Sequence, residues 1–138
     1  MKKILLLVLT LGLFFTACKK DEIATDDTPI VAAPTDKTLL SGTFESNSHP
    51  TTGNAKIIEN VEKKKFLVLE NLKSDAGPDL RIYLATDKTA TSFVEITAKV
   101  SNGNSKIELP ATANTDKQKF ILIWCKQFSV LFGSAALK

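Results

Sequence analysis

The 138-residue sequence is poor in the side chains from which most metal and catalytic sites are built. It has two cysteines and a single histidine, His49. Structural zinc and iron–sulfur sites need more Cys or His than this, and a blue-copper centre needs two histidines beside its cysteine. There is also no Cys-x-x-Cys-His segment for covalent haem attachment and no Gly-x-Ser-x-Gly segment for a serine nucleophile. No complete catalytic or metal-binding constellation is therefore present, and an independent enzyme is the least favoured interpretation.

The sequence also lacks a strong excess of charge. It has 18 Lys and Arg against 15 Asp and Glu, for a formal net charge of +3. Two of the lysines, Lys2 and Lys3, fall in a segment that we expect to be removed, so the mature chain is close to neutral. Because nucleic-acid-binding domains concentrate positive charge, we expect no nucleic-acid partner. The length suffices for one domain with a real core.

The first 18 residues, MKKILLLVLTLGLFFTAC, have the three parts of a secretory signal. A positive start is followed by an apolar core too short to span a bilayer and then by small residues ahead of Cys18. Small residues directly before a cysteine resemble the lipobox of bacterial lipoproteins, whereas in an ordinary secretory signal the cysteine would be incidental. We expect a signal peptide over residues 1–17 and a lipid on Cys18, palmitate among its acyl chains, that anchors the chain to a membrane.

Residues 18–37, CKKDEIATDDTPIVAAPTDK, are polar, acidic in two clusters and dotted with proline. This composition predicts a flexible tether rather than packed structure. The KKDE segment resembles the acidic signal that sends some Gram-negative lipoproteins to the outer leaflet, although a solvated linker explains it equally well. The expected location is the cell envelope of a Gram-negative bacterium, as an outer-membrane lipoprotein facing either the periplasm or the cell surface.

From residue 38 to residue 138 the pattern changes to eight short apolar runs. They are rich in Val, Ile, Leu, Phe and Thr and are separated by Gly, Asn, Asp or Pro, a pattern that predicts strands. The runs are LLSGTFE, AKIIE, KFLVLENL, LRIYLA, SFVEITAKV, SKIELP, KFILIW and FSVLF. We therefore predict an all-β domain, an antiparallel β-sandwich or small barrel of about eight short strands.

Two local features can be placed within this pattern. Asn102-Gly103 is a strong signal for a two-residue hairpin turn, which would pair Ala98 with Ile107. The run FILIW is apolar on both faces and is typical of a central strand, with Cys125 where the run ends. The following Lys126 would favour the reactive thiolate form of the cysteine if the two side chains met.

Four segments in order resemble the DM-thirteen domain family over roughly residues 40–138. They are SGTFESNSHPTTGNAKI, AGPDLRIYLA, NGNSKIELP and ILIWCKQFSVLFGSAAL. The second carries the most recognisable motif, Gly-Pro-Asp-Leu, and the fourth carries the Trp-Cys pair. The matching positions include Gly77, Pro78, Asp79, Trp124 and Cys125.

The resemblance implies a β-rich extracytoplasmic module of a family that is described as electron-transfer domains, and therefore a redox partner protein. It implies that Cys125 is either a bare redox thiol or a ligand of a group such as haem, for which His49 is the candidate second ligand. The alternative from the residues themselves is that Cys125 is a small buried hydrophobe, as free cysteines usually are. The domain would then be a non-catalytic binding or structural module of the cell envelope.

Overall fold

A computed structural model describes residues 35–138 of the chain. The predicted signal peptide, Cys18 and most of the predicted tether lie outside the described residues. The strands are β1 (Lys37–Ser46), β2 (Thr51–Glu59), β3 (Lys65–Ser74), β4 (Leu80–Ala85), β5 (Phe93–Thr97), β6 (Gly103–Glu108), β7 (Phe120–Cys125) and β8 (Val130–Ala136). Residues 35–138 contain no helix, and thus none that is long and apolar enough to cross a membrane. The predicted all-β class is confirmed.

The eight strands form one antiparallel sheet in the order β5-β4-β7-β8-β1-β2-β3-β6. The sheet curls into a half-barrel, so that the inner faces of its two halves enclose a single core. The side chains that alternate inward along β2 and β3 meet those of β4 and β7, as the two-residue period of a strand requires. Fully buried members of this core include Ile57, Leu67, Leu69, Ile82, Leu84, Ile121 and Ile123.

The up-and-down course of the strands sorts the connections into two ends. We call the first the cap end; it contains the connections 47–50, 75–79, 98–102 and 126–129. The opposite end, which we call the tether end, contains the connections 60–64, 86–92 and 109–119, together with the beginning of β1. The predicted tether therefore joins the domain at the end opposite to the connection that follows Cys125.

The predicted hairpin at Asn102-Gly103 is wrong. β5 and β6 lie at opposite edges of the sheet, and Ile107 pairs with Leu67 of β3. The Asn102 side chain pairs with the backbone of Ser74, accepting a hydrogen bond from its N–H (2.9 Å) and donating one to its carbonyl oxygen (3.1 Å). Residues 98–102 thus cross from one sheet edge to the other, and because so short a segment spans at most about 20 Å, the two edges lie close at the cap end.

The prediction of a central strand over FILIW is confirmed. β7 lies between β4 and β8, and its side chains alternate between two apolar environments. Ile121, Ile123 and Cys125 belong to the enclosed core, whereas Leu122 and Trp124 pack on the outer face. Two buried faces explain why this segment is apolar at every position.

Candidate functional site

Cys125 is the last residue of β7 and points into the core at the cap end. It is 1% exposed. In the sheet it lies between Leu80 of β4 and Val130 of β8. Lys126, the next residue, is exposed, so the ammonium expected from the sequence to favour a thiolate does not share the core with the sulfur.

The two strands beside β7 supply the apolar side chains around Cys125. Phe132 of β8 is a member of the same buried cluster. It sits at an irregularity in the β7–β8 pairing, between Gly133, which lies opposite Ile123, and Leu131, which lies opposite Trp124. A side chain here comes within diagonal reach of its neighbours on the next strand. Leu80 on β4 and Val130 on β8 therefore lie directly beside the cysteine, and Phe132 lies diagonally from it.

Gly77 lies directly on the Leu80 and Phe132 side chains. A Cβ atom at position 77 would come within 2.8 Å of Leu80 Cδ2 and 3.0 Å of Phe132 Cζ, so a larger residue would require the ends of these side chains to shift. Glycine at this position therefore lets the 75–79 connection pack closely on Leu80 and Phe132. This accounts for the glycine of the Gly-Pro-Asp motif by packing above the cysteine.

His49 covers Phe132 from the outside. Its ring is stacked on the Phe132 ring, with centroids 3.8 Å apart and an interplanar angle of 24°. The backbone N–H groups of Asn47 and His49 donate to the Phe132 carbonyl oxygen at 2.9 and 3.3 Å. The Nδ1 atom of His49 lies 3.2 Å from Asp75 Oδ2. This contact links the 47–50 connection to the 75–79 connection. We call His49, Asp75, Gly77, Leu80 and Phe132 together the cap.

Pro78 and Asp79 complete the 75–79 connection, and Asp79 has two structural contacts. Its carbonyl oxygen accepts a hydrogen bond from the Lys126 N–H at 2.9 Å, which joins the motif to the turn after Cys125. Its carboxylate accepts one from Arg81 Nε, and Arg81 Nη1 donates to Glu95 at 2.9 Å. These bonds, the one to Asp79 first, raise the pKa of Arg81 above its ordinary value. Asp79 thus holds the loop in place.

Trp124 lies on the other face of the sheet from Cys125. It packs near Tyr83, with ring centroids 6.4 Å apart, and Tyr83 in turn stacks on Phe93 at 4.1 Å. Burial raises the pKa of Tyr83, which keeps its phenol neutral. The Trp-Cys pair of the motif therefore contributes to two separate apolar clusters.

A haem held between Cys125 and His49 does not fit this arrangement. Both candidates lie at the cap end, but the cysteine is inside the core, and the histidine is stacked on Phe132 and faces Asp75. A cleft of about 390 Å³ at this end is lined by residues 74–80 and by residues of the 98–102 connection, and neither candidate borders it. Among residues 35–138, no three His, Cys, Asp or Glu side chains are grouped so that they could hold a metal ion.

The sequence did not indicate that Phe132, Leu80 and Asp75 belong with Cys125. Phe132 and Leu80 look like ordinary strand residues, and Asp75 is one of many isolated acids. Only the pairing of β4 and β8 with β7 brings the first two beside the cysteine. The sequence contained only an indirect indication of this grouping: one loop carries His49 and another carries Gly77. The sheet places both loops at the cap end.

The chain matches a known protein family. The family described as Electron transfer DM13 matches residues 43–137, which include all eight described strands except the first residues of β1. No curated protein and no solved structure matches the chain.

Proposed function

Because the chain belongs to the Electron transfer DM13 family, as the motif resemblance predicted, we propose that it is an extracytoplasmic electron-transfer module. In this proposal a lipid on Cys18 holds it at a membrane, and Cys125 is its redox group. The observation that carries the proposal is that the family match spans the β domain and that Cys125 is the only thiol within the match.

The attachment point of the tether and Cys125 lie at opposite ends of the domain, which supports this proposal. β1 begins at the tether end, whereas β7 ends with Cys125 at the cap end. Anchoring through Cys18 and a flexible tether would therefore leave the cap end free to meet a redox partner in the aqueous compartment.

A lone thiol carries electrons by thiol–disulfide exchange with a partner. The Cys125 thiolate attacks a disulfide of an oxidised partner; one new S–S bond forms, and the other sulfur of that disulfide leaves as a thiolate. A thiolate of a reduced dithiol partner then attacks the Cys125 sulfur of this mixed disulfide, and the first partner leaves as a dithiol. The second thiolate of the dithiol partner attacks its own sulfur in the new mixed disulfide, closes that partner's disulfide and releases Cys125 as a thiolate. Two electrons have passed from the second partner to the first. The attacking sulfur must reach the disulfide directly, so this chemistry needs Cys125 to become exposed.

The 1% exposure of Cys125 favours a second candidate function. In that alternative, the cysteine is only a small core residue, and the domain is a non-catalytic binding or structural module of the cell envelope. Its partners would dock on the connections at the cap end.

Reaction with glutathione separates the two candidates. The full chain with Cys18→Ala, whose only thiol is Cys125, is incubated in native buffer with oxidised glutathione, and its mass is measured. The electron-transfer proposal predicts one glutathione adduct, which reduced glutathione removes. The adduct should be absent from the protein that carries both Cys18→Ala and Cys125→Ser. The circular dichroism of the Cys125→Ser protein controls for folding. An adduct that forms only in denaturant would overturn the redox role and leave the second candidate.

The absorption spectrum of the same protein tests the cofactor alternative. Because Cys125 is buried in the core and His49 is stacked on Phe132, we expect no Soret band of a ligated haem after haem is added. A band that disappears in the Cys125→Ser or His49→Ala variant would show that the cap rearranges to bind haem.

A further inference from the structure

We propose that Cys125 becomes reactive by local opening of the cap, and that His49 is the positioning residue that holds the cap closed over it. As an account of how the redox site is regulated, the inference rests on the proposed function. The opening itself is a property of the fold and can be measured without any electron transfer. His49 thereby acts through Phe132 rather than as a ligand.

The residues of the cap pack on one another at the end of the sheet where Cys125 lies. Leu80 of β4 lies directly opposite Cys125 and Phe132 of β8 lies diagonally from it, and Gly77 packs on both Leu80 and Phe132. His49 then covers the outer face of the Phe132 ring. For a reagent to reach the sulfur from the cap end, the 47–50 and 75–79 connections have to move off Phe132 and Leu80.

The contact that joins these two connections is weak. The His49 and Asp75 side chains are 40% and 51% exposed, and ion pairs at such exposure contribute little to stability because water screens them. The strands around Cys125, in contrast, are paired along β4, β7 and β8 in the middle of the sheet. Loops held by exposed contacts open at a lower free energy than paired core strands. The cap is therefore the part of the structure whose opening exposes the thiol most easily.

Loss of the His49 side chain should loosen the cap at two points. It removes the stacking on Phe132 and the contact with Asp75 together, whereas the backbone hydrogen bonds of the 47–50 connection to Phe132 remain. A His49→Phe variant retains an aromatic ring over Phe132 but has no nitrogen near Asp75. It should therefore restore part of the closure, which a non-specific effect on folding would not do.

The test is the rate at which Cys125 reacts with an aromatic disulfide reagent. All proteins are the full chain with Cys18→Ala, in native buffer and in low concentrations of urea. We expect His49→Ala to raise the rate on the order of five- to ten-fold, Asp75→Ala to raise it by a smaller factor and His49→Phe to lie between His49→Ala and the parent. The matched control is Lys63→Ala, which breaks an exposed ion pair with Glu59 at the tether end and should leave the rate unchanged.

Denaturant dependence distinguishes cap opening from unfolding. Local opening exposes little surface, so the reaction rate should depend weakly on urea, whereas a reaction through the unfolded state follows the full dependence of the unfolding equilibrium. The inference is overturned if every variant shows the full dependence, or if His49→Ala reacts no faster than Lys63→Ala. A cap that opens as expected in a protein that forms no glutathione adduct would refute the proposed function and leave this inference standing.

Discussion

The side chain of Thr51 lies against Gly133, in the space that any side chain at position 133 would need. A Cβ atom there would come within 2.5 Å of Thr51 Oγ1 and 2.6 Å of Thr51 Cγ2. Thr51 is 1% exposed, and its hydroxyl donates to the His49 carbonyl oxygen at 3.2 Å. The contact holds the first residue of β2 against β8 and fixes the base of the 47–50 connection.

Replacing Gly133 with alanine should therefore destabilise the fold. The added methyl group overlaps a buried side chain that has no free space to move into, and overpacking of this kind typically costs about 1–3 kcal/mol. Urea unfolding followed by circular dichroism measures the loss.

A double-mutant cycle provides the control for this substitution. Thr51→Gly removes the atoms that the new methyl group would meet, so its effect and that of Gly133→Ala should not add. Strict additivity of the two losses would show that the overlap with Thr51 is not the cause.

Truncation of the buried thiol should have a smaller effect. Cys125→Ala removes one sulfur atom from the core and should lower the unfolding free energy by about 1–2 kcal/mol, as small core truncations do. Cys125→Ser should cost more, because it buries a hydroxyl among apolar side chains. Equal stability of all three proteins in urea titrations would place the side chain outside the core.

Asp87 should make the stability of the fold depend on pH. Hydrogen bonds from the Thr89 hydroxyl, the Thr91 hydroxyl and the Thr89 N–H hold the pKa of Asp87 far below its ordinary value. The ionised form therefore favours the folded state. The stabilisation is complete above the pKa of an unfolded Asp, about 4, and is lost as the pH falls through the lower folded pKa.

An Asp87→Asn variant tests this dependence. Parent and variant should differ most in unfolding free energy near neutral pH, and the gap should shrink in strongly acidic solution. Asp116→Asn is the matched control, since the Asp116 side chain is exposed and its carboxylate makes no hydrogen bond or ion pair with the rest of residues 35–138. A gap for Asp87→Asn that is constant with pH would contradict the argument.

The proposed lipid anchor predicts where the chain is found after cell fractionation. Cys18→Ala removes the proposed acylation site, so the protein should leave the membrane fraction and should no longer incorporate labelled palmitate. Cys125→Ala keeps the site and should behave as the parent does. Continued labelling of the Cys18→Ala protein would exclude Cys18 as the lipidated residue.

Local patterns in the sequence predicted the strands well but not their neighbours. All eight apolar runs are strands, and the alternation along β7 correctly divides Cys125 from Trp124. The hairpin prediction was wrong because Asn and Gly are favourable in several kinds of loop and strand end, not only in hairpin turns. Here Asn102 uses its amide to pair with Ser74, and Gly103, with a φ of +99°, starts a strand on the edge of β3. Turn chemistry alone cannot distinguish a hairpin from a crossing between two sheet edges.

The cap was partly predictable for a related reason. Family resemblance pointed to His49, Gly77 and Cys125, but sequence motifs do not say how such residues meet. These residues are connected by contacts with Phe132 and Leu80, and nothing in the sequence marks those two residues as special. It depends on long-range strand pairing, and this is the information that a local pattern does not contain.

β8, the last of the eight described strands to be synthesised, lies in the middle of the sheet, between β7 and β1. Before it exists, the earlier strands can form only two separate groups, β5-β4-β7 and β1-β2-β3-β6, with no hydrogen-bonded strand to join them. Pairing between strands so distant in sequence is also slow. The domain can therefore close into a single sheet only after β8 has been synthesised.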